Sequence, residues 1–268
     1  MDAPTLKTAA VAAAAIIVGM GCAHGHERAE ATQATPLVIR AFDIGYGDAV
    51  LVSAGEQHLL FDVGPADAGP KLVSKLRALG VEHLALLVLS HPHPDHVEGL
   101  EALLGSGIGV DRAVHNPADG WHEVPGFSEL KSRVPTTAAA LGDSPLQLGS
   151  VRVSFLHPDA RPQSDPNNLS LVVLLEGEGG AALFPGDLVD LDLQRALCPR
   201  LPQRLAVLKA PHHGDHVAEC LAARTDLLLI SVGENPWGVP RAETLSSFAD
   251  RLRRTDLEGD VVVTLSGQ

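Results

Sequence analysis

The residues with the clearest chemistry are four metal-binding side chains that follow one apolar run. The run Leu86–Leu89 leads into them within a few positions: His91, His93, Asp95 and His96. A proline follows each of the first two histidines, and a residue before proline avoids the helical region. Both imidazoles are therefore expected on one side of an extended segment, where they could hold a divalent ion. The alternative, a polar loop with solvated histidines, does not explain the clustering.

The second half of this cluster falls at the start of a predicted helix. The apolar stripe of that helix comprises Val97, Leu100, Leu103 and Leu104. Asp95 is expected to cap the helix and His96 to lie in its first turn, so both point away from the first histidine pair. We therefore predict two adjacent metal ions: one on His91 and His93, the other on Asp95 and His96.

Two further strand ends supply candidates that could complete the metal shells. The strand Ala181–Phe184 is followed by Asp187, and the strand Leu205–Lys209 leads to the pair His212 and His213. A carboxylate at Asp187 could bridge two ions, although a lone aspartate after a strand is often only a helix cap. The three strand ends together make the stronger case for a metal centre.

Three more aspartates are expected to orient the ligands. Asp43 and Asp48 flank a Gly-Tyr-Gly turn between the first two strands, and Asp62 ends the third strand. Each carboxylate could hydrogen-bond the far side of a ligand histidine. The alternative is that each only stabilises a turn.

The elements around these residues follow an order typical of the α/β class. Apolar runs predict strands at Leu37–Asp43, Ala49–Ser53, His58–Asp62, Leu84–Leu89, Val151–Leu156, Leu169–Leu175, Ala181–Phe184, Leu205–Lys209, Leu227–Val232 and Val261–Leu265. Helices are predicted at Lys71–Leu79 and at about residues 189–198, 216–224 and 241–253. In each half of the chain, hairpin strands come first and an alternation of strands and helices follows. This order predicts two sheets packed face to face with helices outside, in one domain over residues 37–268.

The composition excludes several classes of protein. The 268 residues are 45% hydrophobic and 20% charged, which excludes a disordered chain and a coiled coil. The net charge is −13 and 3% of residues are aromatic, so neither a nonspecific polyanion binder nor a single-strand nucleic-acid platform is expected. Contact with long DNA would need a local basic patch, with these candidates: Arg195, Arg200, Arg204 and Lys209.

The N-terminal segment has the pattern of an export signal. A small-apolar run over residues 8–21 ends at Cys22 and is too short to span a hydrocarbon core of about 30 Å as a helix. Residues 1–21 are predicted to be a lipoprotein-type signal peptide, Cys22 the lipidated membrane attachment, and residues 22–36 a flexible tether. An ordinary cleaved signal and a buried apolar helix are the alternatives. The protein is thus expected in the cell envelope, facing the periplasm or the cell surface.

Two cysteines lie outside this segment, Cys198 and Cys220. An oxidising envelope would allow them to pair, but their spacing does not require a disulfide. We interpret them as two small buried hydrophobic side chains.

The motifs together resemble the metallo-β-lactamase superfamily. The pattern His91-x-His93-x-Asp95-His96, then Gly186-Asp187 and His212-His213-Gly214, is similar to its metal-binding signature. Further segments between residues 37 and 266 resemble the extracellular hydrolase domain of ComEC-type DNA-uptake proteins: Phe42–Ala49, Leu60–Gly64, Asn168–Val172, Pro211–Gly214 and Arg254–Gly259. The resemblance implies an αββα four-layer sandwich of two mixed sheets. It also implies that His213, directly before glycine, is the metal ligand ahead of His212.

The function implied by this resemblance is a dinuclear metal-dependent hydrolase, in which a metal-bridging hydroxide attacks a phosphodiester. Asp187 would bridge the two divalent ions and Asp95 would orient the water. Zinc is the default ion for a histidine-rich set without cysteine, and a carboxylate bridge also admits manganese or iron. The implied substrate is a phosphoester or another small hydrolysable molecule, with DNA as one candidate. The alternative is a non-catalytic or DNA-uptake accessory lipoprotein that keeps the fold as a binding module.

Several positions depart from the ComEC-type pattern. Tyr46 stands where that family usually has glutamine, and Asp215 stands where it has serine. The segment Asn235–Pro240 lacks the histidine that the family tends to carry. A third histidine ligand in mid-chain is also missing as a clear motif, so a water, Asn168 or His157 are the candidates to complete the first metal. Asn168 could equally contact substrate.

Overall fold

Two seven-stranded sheets form the centre of the structure, a computed structural model that describes residue 1 and residues 35–267. The predicted signal peptide, Cys22 and most of the tether lie outside the described residues. Residues Ala34–Gln268 form one compact unit. Among the described residues, no helix is long and apolar enough to cross a membrane.

The strands are short, and each large sheet mixes antiparallel and parallel pairs. In chain order they are β1 (Leu37–Ala41), β2 (Val50–Ala54), β3 (Gln57–Phe61), β4 (His83–Leu84), β5 (Leu86–Leu89), β6 (Gly109–Val110), β7 (Ala113–His115), β8 (Thr136–Ala138), β9 (Leu146–Leu148), β10 (Val151–His157), β11 (Val172–Gly177), β12 (Gly180–Phe184), β13 (Val207–Lys209), β14 (Leu228–Ile230), β15 (Leu252–Arg254) and β16 (Val261–Leu265). The first sheet has the order β16-β1-β2-β3-β5-β7-β8, the second has the order β15-β14-β13-β12-β11-β10-β9, and β4 pairs with β6. The hairpin strands pair antiparallel, whereas strands that follow a crossover pair in parallel.

The helices are also short. In chain order they are α1 (Gly69–Ala78), α2 (Pro94–Val97), α3 (Leu100–Leu104), α4 (Phe127–Arg133), α5 (Leu191–Leu197), α6 (Glu219–Ala222), α7 (Ala242–Ser247) and α8 (Thr255–Glu258). The start of α5 shows why these sequences begin helices. Asp190 precedes it, and its carboxylate accepts hydrogen bonds from the backbone N–H groups of Asp192 and Leu193, which would otherwise lack partners.

The central strands of both sheets, such as β5 and β13, are buried on both faces, and the sheets with their outer helices form four layers. In β5, Leu86 and Val88 pack in the cluster between the sheets, whereas Leu87 and Leu89 pack in a second cluster with Leu72 of α1. Successive side chains of a strand point to opposite faces, so a strand in this position needs an unbroken apolar run. A third cluster joins the outer face of the second sheet to α5 and α6. The predicted αββα four-layer sandwich is therefore confirmed.

The helix predicted over residues 241–253 is wrong in its second half. The structure ends α7 at Ser247, and Leu252–Arg254 forms β15, which pairs in parallel with β14 at the edge of the second sheet. The helical spacing of four apolar residues predicts that helix: Leu245, Phe248, Ala249 and Leu252. Phe248, in this stripe, is nevertheless buried. The apolar spacing thus reported burial correctly, but pairing with an open sheet edge decided the local structure.

The single helix predicted after Asp95 is divided into α2 and α3. The backbone carbonyl of Asp95 accepts from the N–H of Asp48, and the N–H of Gly99 donates to the carbonyl of Gly64. These two groups would bond each other in a continuous helix. Hydrogen bonds to the loops after the neighbouring strands therefore replace one turn and fix the position of Asp95.

A disulfide joins Cys198 and Cys220, so the interpretation of these cysteines as two separate thiols is wrong. Cys198 directly follows α5, and Cys220 lies in α6. The bridge links two helical segments on the outer face of the second sheet. Their proximity results from helix packing, which cysteine spacing in the sequence does not report.

Replacing both cysteines by alanine is expected to lower the free energy of unfolding by about 3 kcal/mol, since the bridge restricts a loop of this length in the unfolded chain. Denaturant unfolding of the double variant beside the oxidised parent measures the loss. Parent protein treated with reductant serves as the control and should lose a similar amount. Equal stability of all three samples would show that the bridge contributes nothing.

Candidate metal centre

The candidate site lies where loops from both sheets meet. In the first sheet, Asp62 follows β3 and His91 follows shortly after β5; in the second, Asp187 follows β12 and His213 follows β13. β3 pairs in parallel with β5, and β12 pairs in parallel with β13. Loops that follow parallel neighbours open at the same sheet edge, so residues far apart in sequence converge there.

Two buried histidines at this edge are held from behind by the chain. Nδ1 of His96 donates to Oδ2 of Asp62 at 2.8 Å, and Nδ1 of His213 donates to the backbone carbonyl of Ser231 at 2.8 Å. An imidazole whose Nδ1 carries the proton keeps its lone pair on Nε2. Both rings are thus fixed in the tautomer that binds metal through Nε2.

His91 is held in the same manner through a hydroxyl. Nδ1 of His91 lies 3.0 Å from Oγ of Ser90, and this Oγ donates its hydrogen to Oδ2 of Asp62 at 2.7 Å. The hydroxyl has one hydrogen, so it accepts from His91. His91 therefore also presents the lone pair of Nε2, and Asp62 orients two of the three rings.

Oδ2 of Asp187 lies at the centre of these rings. Four imidazole nitrogens are within 4.0 Å of it: Nε2 of His96 at 3.1 Å, of His213 at 3.5 Å, of His212 at 3.9 Å and of His91 at 4.0 Å. The carboxylate is 2% exposed. This position suits a carboxylate that bridges two cations.

Asp95 belongs to the same cluster and does not cap α2. Its Oδ2 lies 3.1 Å from Nε2 of His213 and 3.6 Å from Nε2 of His96, whereas α2 has no side-chain cap. The predicted capping role is therefore wrong, because the carboxylate turns toward the histidines. One ligand atom from each of four residues lies within 4.8 Å of the others: Asp95, His96, Asp187 and His213.

The residues present fit a divalent cation. Nε2 of His91, Nε2 of His96 and Oδ1 of Asp187 are buried and have no hydrogen-bond partner among the described residues. A buried polar atom without a partner costs about 1–3 kcal/mol, more when charged. A cation between imidazole nitrogens and carboxylate oxygens would satisfy all of them, and this donor set suits zinc and also manganese or iron.

His93 contributes differently from His91. Its ring packs edge-on against that of His91, with centroids 4.5 Å apart, and it lines the cavity in front of the site. The predicted shared ion on His91 and His93 stays a prediction. Of the two predicted ion sites, the one that includes Asp95 and His213 has its ligand atoms closer together.

A buried lysine lies beneath the carboxylates. Lys209, the last residue of β13, is fully buried; its Nζ forms an ion pair with Oδ2 of Asp48 and lies 3.7 Å from Oδ1 of Asp187. Burial disfavours the charged amine, but the carboxylates of Asp48 and Asp187 outweigh it and raise the pKa of Lys209. A permanent positive charge thus offsets part of the negative charge of the site.

The protonation of His213 opposes metal binding at neutral pH. Burial disfavours the imidazolium, but Asp187 and Asp48 raise the pKa of His213 from 6.5 to about 9. Below that pH, Nε2 carries a proton that a cation must displace.

Burial also disfavours the charged form of His96, but Asp187 and Asp95 raise the pKa of His96 well above its usual range. Zinc affinity is therefore expected to rise by at least about tenfold per pH unit from about pH 6 toward the pKa of His213. Calorimetric titration in two buffers of different ionisation enthalpy measures the released protons. At least one proton per chain is expected near neutral pH. A flat affinity profile without proton release would show that His213 is not displaced by metal.

Three of the predicted orienting or completing residues act elsewhere. Asp43 pairs with Lys71 at 3.3 Å, so it does not hold a ligand histidine. Nε2 of His157 donates to the backbone carbonyl of Asn168, and Oδ1 of Asn168 accepts from the N–H of Asp190. His157 and Asn168 thus stabilise the turn at Pro166–Leu169 and do not complete a metal shell.

Asp62 accepts a hydrogen bond from Nδ1 of His96. Asp48 pairs with the buried amine of Lys209 and also lies 3.6 Å from Nδ1 of His96 and 3.7 Å from Nδ1 of His213. The orienting roles of Asp62 and Asp48 stay predictions.

The basic patch considered for long DNA does not form. Arg195 pairs with Asp192 and Glu219, Arg204 pairs with Asp226, and the side chain of Lys209 is buried. Arg200 is exposed and donates to the backbone carbonyl of Ala196, with no ion pair among the described residues. Only this one of the four candidates thus keeps an exposed, unpaired charge, and a single charge is not a patch.

The turn that carries His212 and His213 has an unusual backbone. His212 has φ 45° and His213 has φ 55°, and Asp62 has φ 58°. These are the only non-glycine residues with positive φ among residues 35–267. Such a conformation costs an L-residue about 1 kcal/mol or more. All three lie at the site: Asp62 contacts His96, and His212 and His213 face Asp187.

A cavity of about 380 Å³ opens in front of the cluster. Asp95, Asp187 and His212 lie along it, together with these residues from other loops: Tyr46, His93, Asn167, Trp237, Val239 and Arg241. Its size falls in the range of small-molecule sites, about 300–1,000 Å³. His212 is 26% exposed and His213 is fully buried, so the geometry favours His213 as metal ligand and leaves His212 facing the cavity.

Three contributing residues were missed by the sequence analysis: Ser90, Ser231 and Lys209. Ser90 directly precedes the first histidine, where a hydroxyl is unremarkable in sequence. Ser231 acts through its backbone carbonyl, which any residue supplies. Lys209 did carry a signal, since a lysine in an apolar strand of a sheet that is buried on both faces needs a carboxylate partner.

Comparisons with known proteins agree with this geometry. A family profile for the metallo-beta-lactamase superfamily matches residues 43–264. The competence protein ComA of Neisseria gonorrhoeae is 32% identical over 197 residues, which are 71% of this chain and 26% of that protein. The ComE operon protein 3 of Bacillus subtilis is 28% identical over 252 residues, or 82% of this chain and 32% of that protein. The chain thus spans about a quarter to a third of these relatives.

A solved structure shares the fold. The metallo-beta-lactamase fold protein YhfI from Bacillus subtilis superposes with a TM-score of 0.55 at 19% identity, covering 85% of this chain and 99% of YhfI. Proteins of this superfamily typically bind divalent metals, as the histidine and aspartate cluster of this chain could do. The resemblance in the motifs is confirmed, and the chain belongs to the metallo-beta-lactamase superfamily.

Proposed function

We propose that this chain is a metal-dependent phosphodiesterase of the cell envelope, with two divalent ions held by the cluster around Asp187. The observation that carries the proposal is the convergence of four imidazole nitrogens within 4.0 Å of Oδ2 of Asp187. Three of the rings donate a hydrogen bond from Nδ1 to another group of the protein, which leaves Nε2 to face a cation. A structural role alone would not explain why Nε2 of His91 and Nε2 of His96 are buried without a hydrogen-bond partner among residues 35–267.

The positions of the residues indicate which of them would hold each ion. His96, His213, Asp95 and Asp187 would hold one ion, and His91 with His93 would hold the other, with Asp187 shared. When bound, such ions lower the pKa of a water toward about 7 and offset the negative charge that develops on phosphate. Asp95 is 24% exposed and faces both the cluster and the cavity, so its free oxygen can accept a proton from an attacking water.

A phosphodiester is the substrate class that the relatives favour. Both curated relatives carry competence names, and competence is the uptake of DNA. The net charge of −13 and the neutralised arginines argue against a long duplex as the preferred form, because the chain would repel its many phosphates. A short phosphodiester with few charges avoids this repulsion.

Location in the envelope is supported by two features. The N-terminal sequence has an export pattern that ends at Cys22, and the Cys198–Cys220 disulfide is typical of oxidising compartments. Lipidation of Cys22 would attach the protein to a membrane, and mass spectrometry of the mature N-terminus tests it. An unmodified Cys22 in a mature N-terminal peptide would contradict lipidation.

The test of activity combines metal content with turnover. Protein covering residues 23–268 is reconstituted with zinc or manganese, its bound metals are counted by elemental analysis, and hydrolysis of bis-p-nitrophenyl phosphate is followed. We expect two ions per chain and turnover that chelation abolishes. Failure to bind metal together with absence of turnover would overturn the hydrolase proposal and leave the binding lipoprotein as the better description.

A further inference from the structure

An exposed aromatic ring stands at the mouth of the metal cavity. Trp237 lines the cavity and is 62% exposed, whereas Trp121, the other tryptophan of the chain, is buried. Leaving a large apolar ring in water forfeits about 1.5–3 kcal/mol of burial. A single exposed apolar side chain is common on protein surfaces, so the position of this ring beside the metal cavity is what matters: its face is open to a ligand in the cavity.

The loop that carries Trp237 is braced by its own side chains. Nδ2 of Asn235 donates to the carbonyls of Gly233 and Val239, while Oδ1 of Asn235 accepts from the N–H of Trp237 at 3.1 Å. These bonds close a short ring of backbone around the tryptophan. The exposed ring is thus presented on a preformed loop, so a ligand need not order it on binding.

The same loop is tied to the metal-binding turn. The N–H of Arg241 donates to the carbonyl of Gly214, and Nε of Arg241 donates to Oδ1 of Asp215 at 2.7 Å. Gly214 immediately follows His213. Because these contacts link the loop to the turn, Trp237 and Arg241 hold a fixed position relative to the predicted ligands.

Arg241 adds a cation to this wall of the cavity. A guanidinium has five N–H donors, and Asp215 takes the one on Nε. Its side chain is 42% exposed, and it lines the cavity with Trp237. Its terminal nitrogens make no hydrogen bond within the part of the chain that the structure describes, so they can donate to an anionic oxygen.

We propose that Trp237 and Arg241 form a subsite for a single nucleotide of the substrate, with the base stacked on Trp237 and a phosphate oxygen bound by Arg241. The inference rests on the proposed function and adds the part of the phosphodiester that lies beside the reacting bond. A flat π-face next to a cation and a metal cluster matches a ligand that is planar at one end and anionic at the other. One such ring and a cavity of about 380 Å³ accommodate one base, in contrast to the rows of aromatic side chains in single-strand platforms.

Two substrates with the same leaving group test the subsite. Thymidine 5′-(p-nitrophenyl) phosphate carries a base, and methyl p-nitrophenyl phosphate does not. In the zinc-loaded protein, Trp237→Ala is expected to lower the ratio of their kcat/KM values by about tenfold, since stacking of one base contributes about 1–3 kcal/mol. Trp237→Phe should retain most of the ratio because it keeps a ring. Equal losses on both substrates would overturn the inference.

A binding measurement separates this inference from the activity. In a Trp121→Phe background, the fluorescence of Trp237 is followed during titration with thymidine 5′-monophosphate and with deoxyribose 5-phosphate. Saturable quenching by the nucleotide alone is expected, with weaker affinity in Arg241→Gln. Such quenching without turnover of any phosphodiester would refute the proposed function and keep the subsite. Turnover without quenching by the nucleotide, or equal quenching by the sugar phosphate, would refute the subsite and keep the function.

Discussion

Replacing Asp187 by asparagine is expected to lower the kcat/KM for bis-p-nitrophenyl phosphate by about 1,000-fold or more and to reduce the bound metal from two ions to one or none. The amide keeps the size of the side chain but removes the charge and one of the two acceptor oxygens. Oδ2 of Asp187 lies within 4.0 Å of four imidazole nitrogens, more than any other carboxylate oxygen among the described residues, so we expect no other carboxylate to take over the proposed bridging role.

A matched control is available on the surface. Asp192 lies in the first turn of α5 with its side chain 85% exposed, so Asp192→Asn makes the same chemical change away from the site. Its metal content and turnover should equal those of the parent, and thermal unfolding of both variants checks that they fold. If Asp187→Asn kept two ions and turnover within about tenfold of the parent, Asp187 would not be the bridging residue.

Replacing Lys209 by methionine is expected to lower the free energy of unfolding of the metal-free protein by about 3–5 kcal/mol, a fall of roughly 10 °C in Tm for a domain of this size. Methionine fills a similar volume but leaves Asp48 buried without its partner. Zinc should recover more Tm in the variant than in the parent, because a cation at Asp187 then supplies the missing positive charge. Calorimetry with and without zinc measures both quantities.

The double variant Asp48→Asn/Lys209→Met isolates the pair, since it removes both charges together. It is expected to regain at least half of the lost stability. Lys71→Met, which breaks an exposed pair with Asp43, should change stability by less than about 1 kcal/mol. A Lys209→Met protein as stable as the parent, with an unchanged response to zinc, would show that the buried pair does not matter.

The main features of the fold were predictable because short stretches of the sequence indicate them. Runs such as Leu86–Leu89 can be buried on both faces only inside a layered sheet, and histidines and aspartates at the ends of such runs converge whenever neighbouring strands are parallel. The edge strand β15 could not be predicted, because Leu252 keeps a helical apolar spacing and its strand conformation comes from pairing with β14. Tertiary contacts decided that segment.

The site likewise contains residues that the sequence identifies and residues whose roles only the tertiary structure reveals. The histidines and carboxylates could be named because their side chains carry the chemistry. Asp43 and Asp48 could not be told apart, since each flanks the same turn, and only the fold places Lys71 beside one and Lys209 beside the other. The carbonyl of Ser231, which fixes the ring of His213, carries no signature in its residue type.

The left-handed backbone at Asp62, His212 and His213 implies a trade-off between conformational stability and function. Glycine would adopt these angles without strain, but it would remove the carboxylate of Asp62 and the imidazoles of His212 and His213 from the site. The chain therefore keeps a less stable loop conformation at three positions whose side chains belong to the proposed metal site, a pattern common at functional sites. In a descendant that kept the fold but lost the chemistry, these are the positions where drift toward glycine would stabilise the protein.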